Sequence, residues 1–197
     1  MKTIAEFLGP VTPFLTGSVP KQLVEAVSSR QSTQSFLLHA FRLLSRLTNN
    51  QSIRIPLIEN IDFLTILVRS FSSSDLRQAA IICSSNIAMD PSHRGKIALL
   101  NADILLSISA FLESTDPLIR YAILSLIALL AVPKDGKHKI STDRDLPDLI
   151  NRIAKDDDDE SCREAASEVR VLVSELPLGK AILGGQKVDP KAFEQAD

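Results

Sequence analysis

Residues 116–131 read DPLIRYAILSLIALLA, the most apolar passage of the 197-residue chain, and admit three readings: a membrane span, a buried helix, or one copy of a repeat. The longest apolar run, 121–132, lies between Arg120 and Lys134. A spanning helix needs about 20 apolar residues, so no membrane span is expected. Two further stretches decide between the remaining readings. LRQAAIICSSNIA (76–88), IRYAILSLIALLA (119–131) and CREAASEVRVLVS (162–174) superpose at a constant shift of 43 residues. Apolar or small residues fill the columns Leu76/Ile119/Cys162, Ala79/Ala122/Ala165, Cys83/Leu126/Val169 and Ile87/Leu130/Val173. Steps of three, four and four residues trace one face of an α-helix. The small Ala column predicts close approach between neighbouring helices.

Upstream, NIDFLTILVRSFSSSD (60–75) matches NADILLSISAFLESTD (101–116) at a shift of 41, which predicts two inserted residues at the turn after Asp116. DILLSISAFLES (103–114) and LPDLINRIAK (146–155) read as second amphipathic helices, and HRGKIALL (93–100) as a shorter first one. Pro91, Pro133 and Pro177 mark the exits of the long helices. A less tidy first copy comprises VPKQLVEAV (19–27) and FLLHAFRLLSRL (36–47), with Phe36, Ala40, Leu43 and Leu47 as its core stripe.

Three helices in about 43 residues, together with the Asp-Pro, branched apolar residue, Arg and Ala of DPLIRYA (116–122), resemble armadillo and HEAT repeats over residues 19–183. The resemblance implies an all-α, right-handed α-solenoid of about four armadillo-like repeats, with units roughly 14–56, 57–98, 99–141 and 142–184 in a domain spanning 1–184. Residues 185–197 are expected to form a flexible tail. In this family the third helices line a concave groove. The groove columns here would be Arg42/Ile82/Ser125/Glu168 and Arg46/Asn86/Leu129/Leu172, flanked by Gln78/Tyr121/Glu164 and Met89/Val132/Glu175. The expected partner is another protein or extended peptide, acidic where it meets Arg42 and Arg46, with Ile82 and Tyr121 as apolar anchors.

Family branches that read basic targeting peptides use a ladder of Trp and Asn. Asn86 is present, but Ile82 stands at the Trp position and the chain has no Trp. That absence also argues against tubulin binding. A second row, Arg94/Lys137/Lys180 with Lys96/Lys139, forms a basic edge that could meet an acidic partner or a lipid headgroup, and reads more readily as cations complementing carbonyl-rich helix ends.

The net charge of -2 and the pI near 5.9 give no general attraction to nucleic acid or anionic lipid. Cys83 and Cys162 lack CxxC or Cys/His spacing, so they read as core thiols in a reducing compartment, cytoplasmic or nuclear. The N-terminal MKTIAEFLGPVTPFLTG is broken by Glu6, Gly9, Pro10 and Pro13, and no leader is expected. DDDDE (156–160) lacks the spaced ligands and Gly of a calcium loop and reads as a solvated turn that caps a helix. His39, His93 and His138 fall on three different units, and no nucleophile-elbow or phosphate-loop spacing occurs. These features predict a non-enzymatic interaction module without metal or cofactor. Two other functions fit the resemblance: a nucleotide-exchange cochaperone of Hsp70, and a structural segment that self-associates head to tail.

Overall fold

The apolar passage is a buried helix, Pro117–Leu130, whose Ile123, Leu124, Leu126, Ile127 and Leu130 are closed off from solvent. The computed structural model describes residues 19–28, 33–48 and 50–174, which contain helices and turns and no strand. In chain order the helices are α1 (Val19–Ser28), α2 (Gln34–Leu47), α3 (Gln51–Ile58), α4 (Ile61–Arg69), α5 (Ser74–Ala88), α6 (Arg94–Asn101), α7 (Ile104–Ile108), α8 (Pro117–Leu130), α9 (Lys134–Thr142), α10 (Leu146–Asp156) and α11 (Glu160–Ser174). Short 3-10 segments, Ser70–Ser72 and Ser109–Glu113, extend α4 and α7. Among the described residues no single helix is long and apolar enough to cross a membrane. The expected tail, 185–197, and residues 14–18 and 175–184 of the expected outer units lie outside the described residues.

The chain divides into two compact units, residues 1–98 and 99–197. In the first, α2 packs on α5. Phe41, Leu44, Phe63, Leu67, Phe71, Cys83 and Ile87 are buried, with the rings of Phe41 and Phe63 tilted at 6.1 Å. In the second, α11 packs on both α8 and α10, and Leu126, Leu130, Ile150, Val169 and Val173 are buried.

The long helices α5, α8 and α11 begin at residues 74, 117 and 160, a constant spacing of 43. The residues before them, Ser73, Asp116 and Asp159, keep that spacing and act as N-caps in two of the three cases. Asp116 accepts the Leu118 amide and Asp159 the Cys162 amide. A capping carboxylate satisfies an amide left without an intrahelical partner and complements the positive helix end. Ser73 accepts instead from the Gln34 side chain. Asp116 is therefore equivalent to Ser73 rather than Asp75, and the two extra residues fall before Asp116. The 3-10 segments end at Ser72 and Glu113, so the turn that follows is one residue long before α5 and three residues long, 114–116, before α8, which holds the extra two.

One arginine column closes these turns. Arg77 donates to the Phe71 carbonyl at 3.0 Å, Arg120 to that of Ser114 at 2.7 Å, and Arg163 to that of Asp157 at 2.6 Å. Each guanidinium reaches back six residues to a carbonyl at the end of the preceding helical segment, where acceptors lack partners along the helix. Arg120 also makes a bidentate pair with Asp157, at 2.8 and 2.6 Å, with side chains only 13% and 6% exposed. Burial alone would raise the Asp157 pKa, but the Arg120 hydrogen bonds, the Asp159 amide and nearby arginine charge hold it below its ordinary value. DDDDE is thus not wholly solvated: Asp157 is the buried anchor of the turn.

The first copy departs from expectation. The core stripe of α2 is Ala40, Phe41, Leu44 and Leu47, whereas Phe36 is exposed and Leu43 half-buried. Its exposed positions 35, 39 and 46 match exposed 78, 82 and 89 at the same 43-residue shift. The sequence register, which paired Arg42 with Ile82, was offset by three residues because both settings place apolar residues at helical steps. Gln34 then occupies the arginine column and reaches Ser73 and Asp75.

Glycine governs the contacts after two long helices. A Cβ on Gly95 would overlap the Ile87 carbonyl, and one on Gly136 the Leu130 carbonyl. Ile87 and Leu130 are equivalent, so Gly95 corresponds to Gly136 and Lys96 to Lys137. The 43-residue match of Arg94 with Lys137 does not join equivalent positions.

The Arg120–Asp157 pair should dominate local electrostatic stability. Removing one member of a buried pair leaves the other charge uncompensated, so Asp157→Asn should cost about 3 kcal/mol. Loss of the exposed Arg152–Glu113 pair through Arg152→Ala should stay within about 0.5 kcal/mol. Because the folded state depresses the Asp157 pKa, its contribution is present above the unfolded value and is lost as pH falls through the folded one. Chemical-denaturation curves should therefore show the wild-type advantage over Asp157→Asn at neutral pH and its decline below about pH 4.

Candidate partner-binding faces

Each long helix turns one side inward and leaves a set of columns outside. In the first unit, Ser35, His39, Arg42 and Arg46 of α2 are exposed beside Gln78 and Ile82 of α5 and Met89 at its end. Ile82 and Met89 are 44% and 56% exposed, high values for large apolar side chains. Positions 35, 39, 42, 46, 78, 82, 85 and 89 hold no carboxylate, and the exposed Asp75 lies at the start of α5 in line with them, so this face is mainly basic. His39 Nδ1 lies 2.7 Å from the Ser35 carbonyl, within α2.

In the second unit, Tyr121 of α8 and Val132 just beyond it are 46% and 44% exposed. Ser125 and Leu129 are half-buried, and Ser125 donates its hydroxyl to the Tyr121 carbonyl. Beside them on α11, Glu164 and Glu168 are exposed. The outward positions 121, 125, 128, 132, 164, 168 and 171 hold no cation. This face is apolar and acidic.

Asn86 does not belong to the outward set. Its side-chain nitrogen donates to the Ser45 carbonyl at 2.7 Å and the Thr48 hydroxyl at 3.0 Å, so it bridges α5 to the end of α2. Buried amides ordinarily find such internal partners. The column Leu43/Asn86/Leu129/Leu172 is half-buried or buried throughout, one step round the helix from the exposed columns.

The basic edge also divides. Lys96 is 5% exposed and donates to the Asp90 carbonyl just past α5, while Lys139 donates to the Leu100 carbonyl in the last turn of α6. Burial lowers the Lys96 pKa, with Asp90 opposing. Asp90 is held below its ordinary value: burial works against ionisation, and the Ser92 hydroxyl, the amides of Gly95 and Arg94 and the charge of Arg54 outweigh it. Arg94 pairs with Glu59 at 2.7 Å in the open. Lys137 is half-buried and Lys180 lies outside the described residues, as does Glu175. Lys96 and Lys139 serve helix-end carbonyls, and the row is not one continuous surface.

On the long helices α8 and α11, two further exposed apolar residues stand outside the columns read from sequence. Leu118 is 77% exposed and Val171 64%. Their columns could have revealed them: Asp75 and Ser161 are the polar equivalents of Leu118, and Ser85 and Ala128 the small ones of Val171.

A depression of about 500 Å³ in the second unit is lined by Ser109, Ala110, Glu113, Asp145, Asp148, Leu149 and Arg152. Arg152 pairs with Glu113 at 2.6 Å within it. It holds neither a histidine nor a thiol. Among the described residues no three His, Cys, Asp or Glu side chains gather as a metal site.

No family model matches the chain, and no curated protein matches it. Among solved structures it is similar to an engineered protein from the Northeast Structural Genomics Consortium, with a TM-score of 0.69 and 17% sequence identity over 86% of this chain and 68% of that one. At that identity the likeness speaks to the helical fold alone.

Both thiols are buried. Burial pushes Cys83 up to about 12, opposed by its hydrogen bond to Thr48. Burial pushes Cys162 up to about 11, with Asp157 and Asp159 adding to the shift, and its Sγ donates to the Pro117 carbonyl at 3.3 Å. Thiolate is the reactive form. Alkylation with iodoacetamide at neutral pH should therefore leave the native chain unmodified while the denaturant-unfolded chain takes up two equivalents. Rapid single labelling of the native chain would contradict this assignment.

Proposed function

We propose that the chain is an armadillo-like solenoid of about four repeats and works as a non-enzymatic adaptor, binding a protein or extended peptide along the outward columns of its long helices. The observation that carries this reading is the exposure of large apolar side chains on the outward side of the long helices, at equivalent positions in the case of Met89 and Val132. Ile82, Met89, Tyr121 and Val132 remain open while residues one step round the same helices are closed. Aromatic and large aliphatic anchors framed by charge are the usual centre of a protein interface. The 43-residue recurrence of cap, arginine and core positions supports the repeat assignment, because a stacked repeat presents its surface as regularly as its core. The anchors on this account are Ile82 and Tyr121. Arg42 and Arg46 meet acidic groups, and Glu164 and Glu168 meet basic ones.

The test is comparative affinity capture from native extract. Wild-type chain would be set beside Arg42→Glu/Arg46→Glu, Ile82→Glu/Tyr121→Glu, and a control, Asp62→Lys, placed away from the outward columns. Equal helicity and melting would be established first. The expected result is one set of proteins retained by wild type and control and lost, or reduced at least about tenfold, with both face variants. An identical captured set for all four chains would overturn the proposal.

A further inference from the structure

The two faces complement each other in their dominant charge: the first is mainly basic, with Asp75 at the start of α5, and the second is acidic. The first unit presents Arg42 and Arg46 around Ile82 and Met89. The second presents Glu164 and Glu168 beside Tyr121 and Val132, with Leu118 at the start of the same helix. On each face the charges of this pairing lie on one long helix, with Ile82 and Met89 on or beside the other in the first unit and Tyr121 and Val132 in the second, so two paired cations can oppose two paired anions. We infer that the occupant of the second unit's face is the first unit's face of another copy of this chain. This inference rests on the adaptor reading and names one partner for it.

The size of the faces sets the strength of the contact. A helix of 14 or 15 residues is about 21 Å long and neighbouring axes lie about 10 Å apart. Each two-helix face therefore has the dimensions of a small, transient interface rather than an obligate one. Such a contact forms at high concentration and weakens as salt screens its exposed charges. It joins two different patches, so it is heterologous: copies add head to tail and need not stop at a dimer. The half-buried Asn86 column takes no part, because its amide is held by Ser45 and Thr48. The Arg120–Asp157 pair is likewise internal. The complementary pairs are Arg42 and Arg46 against Glu164 and Glu168.

Charge exchange tests the inference on the full-length chain. Sedimentation velocity would be run up to roughly 100 µM, a range suited to weak association, at low salt and at about 0.5 M salt, where the Debye length falls to a few ångströms. Four samples are required: wild type, Arg42→Glu/Arg46→Glu, Glu164→Arg/Glu168→Arg, and an equimolar mixture of the two variants. The substitutions are on exposed helix positions, and circular dichroism would confirm equal helicity. Wild type should show an average mass that rises with concentration at low salt and returns to monomer at high salt. Each variant alone, with both faces now of one sign, should lose association by at least about tenfold. The mixture should regain it, because the acidic first face of one variant now meets the basic second face of the other. A monomeric wild type at every concentration would overturn the inference, as would association that survives both reversals or fails to return in the mixture. A monomeric wild type that still captures a different protein through the same residues would remove self-docking and leave the adaptor reading in place.

Discussion

A guanidinium six residues beyond an orphan carbonyl is the contact on which the rest of the described structure depends. Arg77, Arg120 and Arg163 each close the turn that leads into a long helix, on the carbonyls of Phe71, Ser114 and Asp157. The acceptor is a carbonyl at a helical end, and the donor is permanently charged, so the hydrogen bond is stronger than a neutral one. Closing the turn fixes where α5, α8 and α11 begin. The start of a helix fixes its register, and the register decides which columns face the core and which face solvent. Asp157 adds a second constraint in the last turn, serving Arg163 through its carbonyl and Arg120 through its carboxylate.

The 43-residue spacing of the long helices was legible because apolar residues recur at fixed helical steps, and Cys83/Leu126/Val169 and Ile87/Leu130/Val173 are closed off. Other readings failed for identifiable reasons. The identity of Asp75 and Asp116 suggested equivalence, but an Asp suits an N-cap and the first helical turn equally, and only backbone geometry separates them. The register of α2 was ambiguous because Phe36 and Leu43 supply an apolar stripe as regular as that of Phe41 and Leu44. The arginine column was visible in the letters, yet a charged residue on a helix ordinarily reads as solvated. Nothing local tells Arg120, which is buried against Asp157, from Arg42, which is open.

The same distinction shaped the candidate surface. Of the groove residues read from sequence, Arg42, Arg46, Gln78, Ile82, Tyr121, Glu164 and Glu168 are exposed, Ser125 and Leu129 are half-buried, and Asn86 is drawn inward. Asn86 bridges helices because Ser45 and Thr48 offer acceptors within reach, a match between elements that no single stretch displays. Lys96 and Lys139 behave similarly, each neutralising a carbonyl end. What remains outside is a pair of faces, one mainly basic and one acidic, whose most conspicuous members are apolar.

The central claim is that the arginine closures set the start of the long helices. Hydrogen exchange read by mass spectrometry on wild type and on Arg77→Met/Arg120→Met/Arg163→Met tests it most directly. The account predicts faster exchange in the variant at the turns around 71–77, 114–120 and 157–163, with protection kept longest near Cys83, Leu126 and Val169. Unchanged protection at all three turns would contradict it, and would place control of the register in the apolar packing alone.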